Sequence, residues 1–297
     1  MLNRTLRLGF LALAASGALL NAQQGAPQGL TAHKLKDNVY WLEGGGGNTG
    51  VIIGTNGVVI VDAKTTAMNG QQIVAEVAKI TSKPITHVIL THSDGDHAGG
   101  LVGMPKGLTI VAQEGCAKEM EASAKAGGRG AASPDYLPNK VITKSPDNET
   151  FDGVKFRLLH WVPAHTSGDL VIYLPTEKIV FTGDIIASNR PDPIIHPEKN
   201  GNSGGWVTTA KGIAALDADQ FVPGHGDLQS KADIQKRVND TVAKRDKILA
   251  LIKQGKTLDE ARQATGDTPP PQAKGGGRGG PAFPSLTDIV YQESGKK

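Results

Sequence analysis

The chain has 297 residues, of which 38% are hydrophobic, and this is enough for one large domain or two small ones with a sizeable core. Lys and Arg number 32 against 29 Asp and Glu, so the formal net charge is only +3, and aromatic residues make up 4%. So small a positive excess with so few aromatic side chains argues against a nucleic-acid or anionic-membrane partner. The single cysteine, Cys116, excludes an intramolecular disulfide and a cysteine-based metal cluster.

The N-terminal segment has the pattern of a secretory signal. Arg4 and Arg7 precede an apolar run at 8–20 that is too short to span a bilayer comfortably, and Ala22 offers a small residue at a cleavage point. We therefore predict a signal peptide over 1–22 and a secreted or periplasmic mature protein without stable membrane association. A retained membrane anchor is the alternative interpretation.

The next part of the chain alternates short β-branched runs with turns rich in glycine. Residues 39–65 are interpreted as three strands joined by turns, and Asn56-Gly57 between two apolar runs is typical of a hairpin. After these strands the pattern predicts a helix at 69–82, strands at 85–93 and 108–113, and a second helix at 114–126. A loop at 127–140 follows and is a candidate lid.

Strands return in the second half of the chain. They are predicted at 154–161, 169–174, 178–183 and 219–226, with a helix near 205–216 and a helical pattern from Leu228 to about Thr265. This order predicts an α/β fold in which sheets are covered by helices on their outer faces, within one domain over 30–265. The Pro/Gly-rich segment 266–284 is predicted to be disordered, and 285–297 is interpreted as a C-terminal tail.

The segment THSDGDHAGG, residues 91–100, places four metal-binding side chains within six residues. Alternate residues of an extended or turning segment point the same way, so His92 and Asp94 can face one cation. Asp96 and His97 point in different directions and can address a second cation close by, because Gly95 allows the backbone to turn sharply.

Three further candidate ligands, His165, Asp184 and His225, each follow a predicted strand. Residues at strand ends converge on one rim of a sheet, so we expect these side chains to meet the 92–97 turn there. The assembled pattern is far more specific than any one of its segments.

This pattern resembles the metallo-β-lactamase fold superfamily of hydrolases, from about residue 35 to about residue 260. The family's loop is H-x-H-x-D-H, followed by His, Asp and His in that order, and the flanking segments GDHAGG, AHTSGD, FTGD and PGHG are as the family has them. The resemblance implies a four-layer αββα sandwich with the site at one edge between the sheets. It also implies one or two metal ions, most often zinc and sometimes iron or manganese.

The ligands implied by the resemblance are His92, Asp94 and His165 for a first cation and Asp96, His97 and His225 for a second, with Asp184 bridging. Asp94 departs from the family pattern, which usually has a second histidine there, although a diiron branch carries a carboxylate. Oxygen-rich donor sets favour iron or manganese more than an all-imidazole set does. The alternative is that Asp94 does not reach the cation and that only the second site fills.

Together these features predict an exported metal-dependent hydrolase that acts on a small-molecule ester, thioester, lactone or phosphodiester. Two cations would lower the pKa of a shared water, and the resulting hydroxide would attack the substrate while Asp96 orients it and accepts its proton. Asp184 favours this interpretation over a β-lactam hydrolase, because dizinc β-lactamases usually carry Cys or Ser there. An iron-dependent oxidoreductase of the same fold and a non-catalytic metal-binding protein are the other hypotheses. Neither the substrate nor the oligomeric state is indicated.

Overall fold

The computed structural model describes residues 29–268 and 283–295. The signal peptide expected at 1–22 lies outside these residues, as does most of the Pro/Gly-rich segment at 266–284, so both stay predictions. Within the described residues, no helix combines the length and the hydrophobicity that a membrane span needs.

Seven strands form the first sheet, and their order in the sheet follows their order in the chain. They are β1 (Thr31–Lys36), β2 (Val39–Glu43), β3 (Thr49–Ile53), β4 (Val58–Val61), β5 (Ile85–Ile89), β6 (Thr109–Gln113) and β7 (Lys140–Ile142). Strands β1 to β4 pair antiparallel and β4 to β7 pair parallel. The expected hairpin is confirmed, because Ile53 pairs with Val58 across the Asn56-Gly57 turn.

Six strands form the second sheet, in the order β13-β12-β11-β10-β9-β8. They are β8 (Asp147–Phe151), β9 (Val154–Leu159), β10 (Val171–Leu174), β11 (Ile179–Phe181), β12 (Gln220–Val222) and β13 (Gln229–Ser230). Only β11 and β12 pair parallel among these described strands.

Helices cover the outer face of each sheet. They are α1 (Ala67–Ile80), α2 (Gly95–Ala98) and α3 (Glu114–Ala126) in the first half, and α4 (Ser203–Ala215), α5 (Lys231–Lys253), α6 (Leu258–Thr265) and α7 (Leu286–Glu293) in the second. The helical pattern from Leu228 to Thr265 is divided, because Gly255 has a φ of 77° and a capping box of Thr257 and Glu260 starts α6. The segment interpreted as a tail contains α7, whose apolar residues pack with those of α5 and α6.

Three apolar clusters separate four layers and confirm the αββα sandwich. Strand β4 shows how the sequence sets them: Val58 and Ile60 pack towards α1 and α3, whereas Val59 and Val61 pack between the two sheets. Successive strand side chains point to opposite faces, so a strand buried on both sides is apolar throughout. Each such buried side chain stabilises the fold by about 1.5–3 kcal/mol.

The two parallel strand pairs position the functional residues. Asp62 and His92 follow the neighbouring strands β4 and β5, and Asp184 and His225 follow β11 and β12. Backbone hydrogen bonds join the two sheets at this edge, from Asn48 N to the Gly224 carbonyl at 2.7 Å and from Leu170 N to the Thr91 carbonyl at 2.7 Å. The carboxyl ends of both pairs therefore meet at one edge of the sandwich.

Candidate metal centre

The candidate ligands from all four segments of the sequence meet at this edge. Their donor atoms form three overlapping groups in which every ligand atom lies within 4.8 Å of the others: His92, Asp94 and His165; His92, His97 and Asp184; and Asp96, His97 and His225. The structure thus brings all seven side chains together, and their assignment as metal ligands is taken up as a proposal below.

The distances between these donor atoms suit two neighbouring cations. In the first group, Asp94 Oδ2 lies 3.3 Å from His165 Nε2 and 3.7 Å from His92 Nε2. Asp184 lies between the two sets of donors, because one group joins it with His92 and His97. Its Oδ1 lies 3.1 Å from His97 Nε2 and its Oδ2 lies 3.4 Å from His225 Nε2. Donors bound tetrahedrally at about 2.0–2.1 Å lie about 3.3–3.4 Å from one another, which is close to these values.

Asp62, which sequence reasoning missed, orients two of the histidines. Its Oδ2 accepts hydrogen bonds from His97 Nδ1 and from the Thr91 hydroxyl, both at 2.7 Å. Since that hydroxyl is used as a donor, it accepts the Nδ1–H of His92 at 2.8 Å. Both imidazoles therefore direct the lone pair of Nε2 into the centre, which is the form that binds metal. The available signal was an aspartate directly after the fully buried strand β4.

We expect Asp62→Asn to weaken metal binding by about 10–100-fold, because the carboxylates that orient metal-binding histidines have effects of this size. Asn has the same volume as Asp, but it has no ionised oxygen that could accept the hydrogen bonds from both His97 and Thr91. Competition against a chelator measures the affinity. Asp152→Asn is a matched control, because Asp152 lies 3.4 Å from His87 in a contact remote from the centre; equal metal affinities of the two variants would contradict the role of Asp62.

The loop that carries His165 is held by Asp169. The Asp169 carboxylate accepts hydrogen bonds from His165 N and from the Thr166 hydroxyl, both at 2.7 Å. The ring Nδ1 of His165 donates to the Ile194 carbonyl at 3.0 Å. The Nε2 lone pair of His165 therefore also faces the centre.

Two glycines allow the ligand loops to pack this tightly. A Cβ at Gly47 would lie 2.1 Å from Cε1 of His97, and a Cβ at Gly224 would lie 1.9 Å from Oδ1 of Asp184. Any larger residue at these positions would displace a candidate ligand, so the glycines are required by close approach and not by backbone angles.

The carboxylates of the centre raise the pKa of two of its histidines. Burial alone would lower the pKa of His165, but the nearby carboxylates of Asp94 and Asp184 raise it to about 9. Burial likewise opposes protonation of His225, whose pKa Asp184 and Asp96 raise to about 9. In Asp184, burial raises the pKa, but the nearby His97 and His225 outweigh it and hold the pKa well below its usual value. Ionised carboxylates beside imidazoles are what a cation-binding site requires.

Four buried polar atoms here have no hydrogen-bond partner among the described residues: His92 Nε2, His165 Nε2, His196 Nε2 and Asp184 Oδ1. Buried polar atoms in proteins nearly always have a partner, so their convergence indicates that a ligand belongs between them. A set of imidazole nitrogens and carboxylate oxygens suits a divalent transition metal. The residues present therefore fit a metal centre.

Asp94 reaches the first group and is held there by a lysine. Its Oδ1 accepts a hydrogen bond from Lys199 Nζ, which also donates to the Ser93 hydroxyl at 3.1 Å. Burial raises the pKa of Asp94, but the close imidazoles of His165 and His196 outweigh burial and lower it, so the carboxyl stays ionised. Lys199 leaves Oδ2 free for the imidazoles. No pattern in the sequence indicated this lysine, because it ends a single 3₁₀ turn (Pro197–Lys199) that is too short to give a periodic signal.

Lys64, a second residue that sequence reasoning missed, lies buried under the Gly-rich turn after β2. Its Nζ donates to the carbonyls of Leu42 and Gly47 at 2.6 Å each. Burial lowers the pKa of Lys64 from 10.5 to about 7, because the charged form is poorly solvated there. Lys64 thus joins the first sheet to the turn that packs against His97.

This pKa predicts how stability depends on pH. Between pH 7 and 10.5 the unfolded state binds more protons than the folded state, so the free energy of unfolding should rise with pH in that window. We expect the wild type to gain about 2 kcal/mol relative to Lys64→Met between pH 7 and pH 9, as measured by urea denaturation. The variant Lys211→Met, at an exposed position, serves as the control. A difference between wild type and Lys64→Met that is the same at both pH values would contradict this expectation.

A cavity of about 360 Å³ opens onto the centre, and it is lined by Asp94, Asp96, Asp184, Asn189, Arg190, Ile194, His225 and Phe283. Within it, Arg190 Nε is buried without a partner among the described residues, and the guanidinium lies 5.1 Å from the centre of the Phe283 ring. The 127–140 loop borders a different cavity of about 290 Å³, which Lys199 also lines. Its role as a lid stays a prediction.

Comparison with known proteins decides the family. The profile described as the metallo-beta-lactamase superfamily matches residues 42–225, which is more than half of the chain and includes all seven candidate ligands. The chain belongs to the metallo-β-lactamase superfamily. The position of the centre at the edge between two sheets is therefore the position that this membership implies.

Relatives in this superfamily have diverse activities. The chain is 26% identical over 198 residues to the 2,4-dinitroanisole O-demethylase subunit alpha of a Nocardioides species, covering 66% of this chain and 57% of that protein. It is 24% identical over 250 residues to a linear primary-alkylsulfatase of a Pseudomonas species, covering 69% and 47%. The inverting sec-alkylsulfatase Pisa1 from Pseudomonas sp. has the same fold, with a TM-score of 0.68 at 19% identity over 81% of this chain and 46% of that one. The chain thus spans about half the length of these relatives.

Proposed function

We propose that this protein is an exported metal-dependent hydrolase that cleaves an ester, thioester, lactone or phosphodiester bond in a small molecule. The observation that carries the proposal is the convergence of imidazole Nε2 lone pairs and ionised carboxylates at the base of a cavity that can admit a substrate. These polar groups are not needed to stabilise the two sheets, because the cores of the sheets are already apolar. A metallohydrolase needs them to bind its metal ions and activate water.

Two sets of residues would hold the cations. The first set is His92, Asp94 and His165, the second is Asp96, His97 and His225, and Asp184 shares a group of donor atoms with His92 of the first set and His97 of the second. When bound, the cations supply Lewis acidity that polarises a substrate oxygen and lowers the pKa of water. Zinc suits the donors, and the carboxylate at Asp94 makes iron or manganese acceptable.

Asp96 is the residue placed to handle the proton. Its side chain is 38% exposed and lines the cavity, whereas Asp184 is 5% exposed. Burial raises the pKa of Asp96, but the hydrogen bond with His225 and the charge of His97 outweigh it and keep the pKa below its usual value. An ionised carboxylate that is open to the cavity can orient an attacking water and accept its proton.

Arg190 favours a second candidate, the hydrolysis of sulfate esters. A guanidinium in the cavity wall with an unpartnered Nε can pair with the anionic oxygens of such a substrate. Two of the relatives are alkylsulfatases, which supports testing this class first. An uncharged ester would make no use of this group.

A substrate panel on protein reconstituted separately with Zn²⁺, Mn²⁺ and Fe²⁺ tests the proposal. The panel contains a carboxylic ester, a thioester, a lactone, a phosphodiester, an alkyl sulfate and a β-lactam. We expect turnover of at least one ester-type class that is lost on chelation. Turnover of the β-lactam alone would favour a β-lactamase, and oxygen consumption by the iron form would favour an oxidoreductase. No turnover of any class by fully loaded protein would contradict the proposal.

Export rests on the N-terminal pattern and has its own test. Expression of the full chain in a Gram-negative host should release a mature form that begins near Gln23 into the periplasm. An intact chain that stays in the cytoplasm or with the membrane would contradict export without affecting the proposed chemistry.

A further inference from the structure

His196 lies at the first group although it is absent from the family pattern. Its Nε2 is 3.3 Å from Asp94 Oδ2, the same distance that separates this oxygen from His165 Nε2. The rings of His165 and His196 meet edge to face, with centres 4.9 Å apart. His196 therefore approaches Asp94 as closely as a residue that the family pattern names as a ligand.

The protonation of His196 is set by the neighbouring residue Glu198. The ring Nδ1 lies 2.5 Å from the Glu198 carboxylate, which makes Nδ1 the donor. The Nε2 lone pair is then directed inwards, and Nε2 is buried without a hydrogen-bond partner among the described residues. A histidine whose outer nitrogen donates to a carboxylate is the common arrangement for a metal ligand.

The backbone also holds this ring in place. His196 N donates to the His165 carbonyl at 2.9 Å, so the two histidine loops are directly joined. Gly201 N donates to the His196 carbonyl at 2.9 Å and closes the turn on the other side. The fold thus fixes the backbone of His196 beside that of His165.

We propose that His196 is a metal ligand, which completes a set of three imidazoles and one carboxylate around the first cation. Nε2 atoms of His92, His165 and His196 lie 3.7, 3.3 and 3.3 Å from Asp94 Oδ2. These three distances to one carboxylate oxygen are close to the spacing of about 3.3–3.4 Å that separates two donors of one tetrahedral site. His196 thus restores the imidazole that is lost where Asp94 replaces the family's histidine. The inference rests on the proposed metal centre and adds one ligand to it.

The competing explanation is that His196 only hydrogen-bonds to Asp94 as a doubly protonated imidazolium. In that case His165 Nε2 and His196 Nε2 would both donate to one oxygen, whose carboxylate already accepts a hydrogen bond from Lys199. A cation among these atoms removes the need for two crowded imidazolium ions in a buried space. If His196 is a ligand, removal of its ring lowers the affinity for metal. If His196 only hydrogen-bonds to Asp94, the affinity stays the same.

Titration of His196→Ala with Co²⁺ against a competing chelator separates the two explanations. We expect one of the two bound equivalents to weaken by about 10–100-fold, with a shift of the visible Co²⁺ absorption bands. Glu198→Gln should change the affinity in the same direction by a smaller factor. His165→Ala is the reference for loss of a ligand, and His33→Ala is the control, because His33 is exposed and pairs with Glu43. Wild-type affinity for both equivalents and an unchanged spectrum in His196→Ala would overturn the proposal.

X-ray absorption on the zinc-loaded wild type gives a result that needs no variant. Five histidines shared by two ions average about 2.5 imidazoles per ion, whereas four would average about 2. The lower value would contradict the assignment of His196 even if His196→Ala failed to fold.

The two proposals fail in different ways. If the wild type binds both ions in a His196-dependent manner but cleaves no substrate of the panel, the hydrolase proposal is wrong and the ligand assignment stands. If the protein is a hydrolase and His196→Ala raises KM with unchanged metal affinity, His196 contacts the substrate and the ligand assignment is wrong.

Discussion

Replacement of Asp184 by Asn is expected to remove at least one of the two cations and to reduce hydrolysis by about 10³-fold or more, because metal-ion catalysis contributes several kcal/mol to transition-state stabilisation. The Asp184 side chain is 5% exposed, and it shares a group of donor atoms with His92 of the first set and His97 of the second. The amide has the same shape but lacks the charge that balances two cations. Metal analysis and kcat on the same sample measure both effects.

The control for this variant is Asp267→Asn. Asp267 forms an ion pair with Lys244 at 2.6 Å on α5, away from the centre. We expect this control to keep its metal and its activity. An Asp184→Asn protein that bound two equivalents with wild-type affinity would show that Asp184 does not bridge the cations.

Replacement of Asp96 by Asn is expected to lower kcat by about 10²–10⁴-fold while most of the metal is retained. Asn keeps an oxygen that can contact the second cation, but it cannot accept a proton. The loss should therefore fall on kcat more than on KM, in contrast to Asp184→Asn, which loses metal. Steady-state kinetics with metal analysis distinguishes the two variants, and full activity of metal-loaded Asp96→Asn would remove Asp96 from the mechanism.

The central strands were predictable because they are buried on both faces. Val58–Val61 and Ile179–Phe181 are continuous apolar runs, and such runs are the strongest strand signal in a sandwich. Helix α3 begins and ends where its pattern predicts, at Glu114 and Ala126. The order of these elements along the chain is enough to predict the αββα sandwich, even when their contacts are not known.

The edge strands were not predictable in the same way. Strand β1 has the sequence TAHKLK and β8 has DNETF, and both are largely exposed or intermediate in burial. Polar, charged edge strands protect a sheet from unwanted pairing, but their sequences look like loops. Strand β1, in which His33 pairs with Trp41, was for this reason not among the strands predicted from the sequence.

Only those residues of the site that directly follow a strand could be predicted from the sequence. His92, Asp184 and His225 each come directly after an apolar run, so their convergence follows from strand direction alone. Lys199 and His196 lie in and next to a single 3₁₀ turn, and only the folded chain shows that both contact Asp94. The density of charge at 92–97 therefore predicted a metal centre but not the residues that complete it.

Anomalous scattering from crystals of protein reconstituted with zinc tests the central claim most directly. Two peaks are expected at the sheet edge, one among His92, Asp94 and His165 and one among Asp96, His97 and His225, with Asp184 between them. Peaks elsewhere, or a single peak in fully loaded protein, would contradict the account of a two-cation hydrolytic centre.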